Sequence, residues 1–148
     1  EAEMVVLAPG SLYTSIIPNL LVDGIADAIR DSKAVKLYVC NVMTQEGETE
    51  GYTVSDHIQA LFSHSYPQLF RLCLTNSMPI PESIARRYAQ EGAEPIYHDT
   101  EKCRALGVEL IERPVASLEN GLVRHNPGHL AHELMTIYEE YVSSKNPT

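Results

Sequence analysis

Short apolar runs alternate with segments of helical period along almost the whole 148-residue chain. Met4-Val5-Val6-Leu7 precedes an apolar-periodic stretch, Leu12 to Leu21. Val35 to Asn41 (Val-Lys-Leu-Tyr-Val-Cys-Asn) precedes a second, built on Val54, Ile58, Leu61 and Phe62. Leu69 to Asn76 reads as a third strand, and Pro81 then opens a helix with inner face Ile84, Ala85 and Tyr88, closed by Gly92. A short strand around Pro95–Tyr97, a helix near Thr100–Leu106 and a strand at Val108–Glu112 follow. Strands separated by helices pair in parallel, because the helix supplies the long crossover a parallel pair needs. The predicted fold is α/β, a mostly parallel sheet with helices on both faces.

Local signals sharpen this reading. Thr53 with Asp56 three residues on forms a capping box. Asn120-Gly121 predicts a tight hairpin turn. Asn126 as cap and Pro127 in the first turn open a last helix that buries Leu130, Leu134, Ile137, Tyr138 and Tyr141, and Lys145 to Thr148 reads as a frayed end. The acidic start, Glu-Ala-Glu, does not read as a signal peptide. A start without an initiator Met, running at once into an apolar strand, predicts a piece of a longer polypeptide. No apolar run approaches the ~20 residues that span a bilayer.

A net charge of −9 argues against general binding to nucleic acid or to an anionic membrane, since the global field repels polyanions. Cys40, Cys73 and Cys103 are odd in number and lack metal-site spacing; the first two lie in apolar runs, as buried reduced thiols of a cytoplasmic protein do.

In parallel sheets ligands bind outside the carboxyl ends of the strands. Three loops meet that condition: Pro9–Ser11, Asn41–Tyr52 and Asn76–Pro79. The stretch Ala8–Ser15 reads strand, Gly-containing turn, helix, an arrangement that presents free amides to an anion. Gly10 permits close approach, and Ser11 either caps the helix or donates to a phosphate oxygen. The loop Asn41–Tyr52, hinged by Gly47 and Gly51, has the length of a lid or binding loop. Asn41, Thr44 and Gln45 are its candidate ligand-bonding residues; Glu46, Glu48 and Glu50 either hold Mg²⁺ beside a phosphate or form a solvated surface. Tyr88 is a core tyrosine or a ring that stacks on a base. Arg124, next to His125 and the Asn126 cap, combines a guanidinium with a helix start and is the leading charged ligand residue. His125, His129, His132 and Glu133 match no zinc-protease pattern and read as helix-surface groups, while His57 and His64 read as packing or surface. No residue set forms a complete catalytic constellation.

Taken jointly, Leu7–Leu21, Tyr38–Thr49, Gly51–His57, Arg87–Ala93 and Gly121–His125 resemble the gluconeogenesis factor family (YvcK type), within the superfamily that includes the phospholactate transferase CofD. The resemblance implies a Rossmann-like fold, with residues 1–148 as the C-terminal part of a single CofD-like domain. It also implies a cytoplasmic location and a role in gluconeogenic growth, cell shape and cell-wall homeostasis. The implied ligand is a UDP-sugar such as UDP-N-acetylglucosamine, with Tyr88 and Arg124 associated with its site. Ligand-binding candidates are then Pro9, Gly10, Ser11, Tyr13, Thr14, Asn41, Thr44, Gln45, Asn76, Tyr88 and Arg124. The family's opening strand and Gly-rich nucleotide loop have no counterpart here, so the N-terminal half of the same protein, or another chain, is an expected partner, and self-association a further one. Pro127 stands where some members carry a hydroxyl residue, which removes phosphorylation at that position. The leading expectation is a non-catalytic UDP-sugar-binding regulator. The alternative is a transferase that moves a phosphoester group from a nucleotide diphosphate donor with Mg²⁺, and a third reading is a protein-interaction platform.

Overall fold

The computed structural model describes residues 1–145. Four strands, β1 (Met4–Leu7), β2 (Val35–Val39), β3 (Leu72–Asn76) and β4 (Glu109–Arg113), form one sheet in the order β1-β2-β3-β4, with every pairing parallel. The central strands are closed off on both faces: Leu37, Tyr38, Val39, Cys73 and Leu74 are fully buried. Continuous rather than alternating burial is what a parallel sheet covered on both sides requires.

Strand order equals chain order, so crossovers of one hand must lie on one face. That face carries a core built from Leu12, Ile16, Ile58, Phe62, Phe70 and Cys103 with their neighbours. It is covered by α1 (Ile17–Leu20), α2 (Ile25–Asp31), α3 (Val54–Ser63) and α5 (Thr100–Ala105). The opposite face holds Leu37, Val39, Leu72 and Leu74 and is covered by α6 (Pro127–Lys145) through Ile137, Leu130, Leu134 and Tyr141. Tyr138 is half-buried on the same helix. Residues 146–148 of the expected frayed end lie outside the described residues. Helix α4 (Glu82–Gln90) buries no residue completely; Ile84, Ala85 and Tyr88 are half-buried.

Several sequence expectations need correction. The helix expected over Leu12–Leu21 is instead a π-helical turn, Leu12–Ile16, running into α1. Pro18 explains the change. It has no N–H for the carbonyl four residues back and its ring crowds that carbonyl, so the chain widens to i−5 bonding, as in Ile16 N–H to Ser11 O at 3.1 Å. Helix α2 carries no strong periodic signal and was not foreseen; it starts after Gly24, whose φ of 87° suits glycine. The third strand is shorter than Leu69–Asn76. Gln68 at φ 56° turns the chain, and Leu69 and Phe70, 1% exposed each, fill the core without joining the ladder. The strand expected around Pro95–Tyr97 reduces to one bridge, Met43 with Pro95, because proline cannot donate to a ladder.

The other local signals hold. Thr53 and Asp56 form the capping box of α3, and Asn126 Oδ1 accepts the His129 N–H at 3.0 Å at the start of α6. Strands β5 (Ala116–Glu119) and β6 (Leu122–His125) pair antiparallel across Asn120-Gly121. Both turn residues have positive φ, 51° and 73°, as a two-residue primed turn demands. Gly121→Ala should cost about 1 kcal/mol, since the left-handed region disfavours a Cβ. Arg87 Nη1 also lies 2.5 Å from where that Cβ would stand. The expected loss in melting temperature is roughly 2–4 °C; an unchanged melt would show that the turn tolerates a side chain. Among the described residues, no single helix is long and apolar enough to cross a membrane.

Candidate functional site

All four strands point their carboxyl ends at one rim, and a long loop ties that rim together. Asn41, just past β2, makes a two-way bridge to the loop after β1: Gly10 N–H donates to its Oδ1 at 3.0 Å, and its Nδ2 donates to Gly10 O at 2.8 Å. Ser11 Oγ donates to Gln45 Oε1 at 2.8 Å, and Tyr13 N–H donates to the Glu48 carboxylate at 2.7 Å. Ser11 therefore does not cap the first helical turn through its side chain. The Tyr13 amide, one of those expected to meet a ligand anion, is instead held by Glu48. A carboxylate is the natural substitute there, since the amide end of the turn favours negative charge. The hydroxyls of Tyr13 and Tyr52 lie 2.7 Å apart. That hydrogen bond, with some burial, pushes the Tyr13 phenol up to about 12.

On its other side the same loop is strapped to the segment after α4. Thr44 N–H donates to Glu94 O at 2.8 Å and Glu94 N–H returns to Thr44 Oγ1 at 2.9 Å. Ile96 N–H donates to Val42 O at 3.0 Å. Within the loop, Gln45 N–H donates to Thr49 Oγ1 at 2.9 Å. The segment expected to act as a lid is thus fastened along both edges. Its three carboxylates diverge. Glu48 meets Tyr13 N–H, Glu50 accepts from Gly47 N–H, and Glu46 lies against Gly92. Among the described residues no three His, Cys, Asp or Glu groups gather as a candidate metal site.

The end of β3 organises the hairpin. Asn76 Oδ1 accepts from Met78 N–H at 3.0 Å, Ala116 N–H at 3.1 Å and Val115 N–H at 3.3 Å, while Nδ2 donates to Met78 O at 2.9 Å. Tyr88 is half-buried, and its hydroxyl accepts Val123 N–H at 2.9 Å. Arg87 lies over its ring at 5.6 Å and donates to Gly121 O. Arg124, on β6 opposite Ser117, is exposed and has no ion-pair partner among the described residues. It is the one guanidinium on the hairpin free to meet a ligand.

The candidates share a rim but not one cavity. A cavity of about 460 Å³ lies between the β2 and β3 loops and the 95–98 segment, lined by Val42, Asn76, Met78, Ile80, Ile96 and His98 among others. Tyr13 borders a separate hollow of about 560 Å³ with Tyr52, Asp56 and His64. Pro9 and Gly10 border a groove of about 330 Å³ with Leu7, Ile16 and Ile25. Thr14 is exposed on the π-helical turn. Sequence reasoning missed His98, whose Nδ1 meets Glu112 Oε1 at 2.9 Å at the cavity wall. No local signal marked it, because its partner sits on another element.

The three cysteines are free and buried. Burial pushes the Cys40 and Cys103 thiols up to about 12 and Cys73 well above its ordinary value. They remain protonated at neutral pH and are not nucleophiles. His57 is fully buried with Nδ1 at 2.8 Å from Thr53 O, and its Nε2 has no partner. Burial holds the imidazoles of His57 and His125 below their usual range. The unfolded chain therefore takes up these protons first as pH falls. The stability they contribute is complete above about pH 6.5 and drains away below it, by at most ~1.4 kcal/mol per pH unit for each histidine. Urea unfolding at pH 7.5 and 5.5 should show a lower midpoint at the acid value; equal midpoints would refute this.

The family described as 2-phospho-L-lactate transferase CofD matches residues 1–116. The protein named gluconeogenesis factor in Bacillus subtilis is 41% identical over 140 residues, covering 95% of this chain and 44% of its own length. The gluconeogenesis factor of Halalkalibacterium halodurans is 44% identical over 135 residues, 91% of this chain and 42% of that protein. The crystal structure of protein BH3568 from Bacillus halodurans superposes with a TM-score of 0.87 at 44% identity, covering 90% of this chain and 43% of that one. The chain thus spans less than half the length of these relatives.

Proposed function

Because the chain belongs to the family described as 2-phospho-L-lactate transferase CofD, we propose that it contributes a nucleotide-sugar site to a regulatory protein linked to gluconeogenic growth. The ligand class is a UDP-sugar of the UDP-N-acetylglucosamine kind, and the protein acts without turnover, in the cytoplasm, on cell shape and cell-wall homeostasis. The observation that carries this reading is the fastened rim. Junctions after β1, β2, β3 and β4 meet there through Gly10–Asn41, Thr44–Glu94 and Asn76–Ala116, beside a cavity of about 460 Å³. Rigid loops at strand ends are where α/β sheets hold small ligands. The link to gluconeogenesis comes from the relatives named gluconeogenesis factor.

In this reading Asn41, Thr44, Asn76 and Tyr88 shape the rim through their protein partners. Ligand contacts fall to Arg124, for phosphate, and to the Ser11–Gln45 pair, for hydroxyls. Calorimetric titration of the full-length protein with UDP-N-acetylglucosamine tests it: saturable binding is expected, and no binding overturns it. The family's description supports a second reading, a transferase moving a phosphoester group from a nucleotide diphosphate donor. Metal-dependent consumption of such a donor would select that reading instead.

A further inference from the structure

The amino ends of the strands, opposite the rim, concentrate positive charge in a chain of net charge −9. A cavity of about 300 Å³ there is lined by Arg30, Lys36, Arg71 and Lys145, four of the chain's 11 Lys and Arg residues, and no carboxylate is among its lining residues. Two of the cations are already engaged. Arg30 pairs with Asp31 at 2.9 Å and Asp27 at 3.5 Å, and Lys36 Nζ donates to Arg30 O at 2.9 Å. The other two are exposed and have no acidic partner among the described residues: Arg71, just before β3, and Lys145, whose ammonium lies 4.5 Å over the Tyr141 ring. The cavity floor is apolar, with Leu69 and Phe70 each 1% exposed and Leu72 7% exposed.

Arg71 and Lys145 line this one cavity without a carboxylate partner among the described residues, and an anion bound there relieves their mutual repulsion. They oppose, locally, the anion-repelling field of a chain of net charge −9. A planar guanidinium beside a compact ammonium suits phosphate oxygens, one as a fork and the other as a point charge. We propose that this cavity binds a small phosphorylated metabolite carrying at least two negative charges, with Arg71 and Lys145 as its phosphate contacts and its carbon body against Leu69, Leu72 and the Tyr141 ring. The site lies at the opposite end of the sheet from the nucleotide-sugar site and does not depend on it. It gives the protein a second small-molecule input.

Titration of the full-length protein with inorganic pyrophosphate, at constant ionic strength set with sodium chloride, tests this. Saturable binding is expected, weakened about 10-fold in Arg71→Gln and by a similar factor in Lys145→Gln, and changed less than about twofold in Lys102→Gln, an exposed lysine on α5 away from both sites. Raising ionic strength tenfold should weaken it further. No saturable binding overturns the proposal. So does binding that both glutamine variants leave intact, or binding lost in Arg124→Ala, which would place the anion at the rim. Loss of UDP-N-acetylglucosamine binding alone leaves this site standing, so the two readings fail separately. Because Lys145 is exposed at the end of α6, its variant keeps the test decisive if Arg71→Gln folds poorly.

Discussion

Arg124→Ala is expected to weaken UDP-N-acetylglucosamine binding to the full-length protein by roughly 10- to 150-fold, the equivalent of about 1.5–3 kcal/mol for one charge-assisted contact to phosphate. The residue is suited to such a result. It stands on β6 two residues before the Asn126 cap, exposed and without a carboxylate partner among the described residues, so removing it breaks no ion pair of the fold. Stability should change by less than about 0.5 kcal/mol, as surface substitutions usually do. The combination is diagnostic: a large loss of affinity with an unchanged melt assigns Arg124 to the ligand. Equal affinity in the variant and the parent would remove the guanidinium from the site and leave the hairpin as a purely structural cover. Arg124→Lys should recover only part of the loss, because an ammonium cannot make the forked contact.

Asn76→Ala should be strongly destabilising, at about 3 kcal/mol or 6–12 °C in melting temperature. Its Oδ1 serves three main-chain amides, those of Met78, Val115 and Ala116. Val115 is fully buried and Ala116 is 4% exposed, so their amides cannot turn to water when the acceptor is gone. Leaving buried donors unpaired costs more than the lost bonds themselves. Asn76→Asp keeps the acceptor but loses the Nδ2 donor to Met78 O, so it should fall between the two. A melt of Asn76→Ala within about 2 °C of the parent would show that the hairpin docks by other means.

Element types were legible along most of the chain because each rests on a local rule. The Thr53 capping box, the Asn120-Gly121 turn and the Asn126-Pro127 helix start depend on residues within four positions of one another, and all three form as read. The errors came where a local signal served a distant purpose. Phe70 is apolar because it packs beside Tyr38 and Phe62, and Leu69 because it fills the same core, not because they extend β3. Pro18 widened the helical turn before it to i−5 bonding, although the apolar period ran through that turn undisturbed.

For the site, the sequence singled out strand-end loops that do meet at one rim, but it did not show that many of their polar side chains bond the protein's own main chain. Asn41, Thr44, Asn76 and Tyr88 each find a main-chain partner at least 31 positions away or across the rim. Spacing along a chain says nothing about such partners.

The sequence by itself determined a parallel α/β sheet, its turns and caps, and the end of the sheet where loops gather, because hydrophobic period and backbone chemistry act over a few residues. Only the tertiary structure decided that Glu48 takes the Tyr13 amide, that His98 meets Glu112, and that Arg71 and Lys145 share a cavity. Those contacts join segments whose separation in sequence carries no physical constraint until the sheet brings them together.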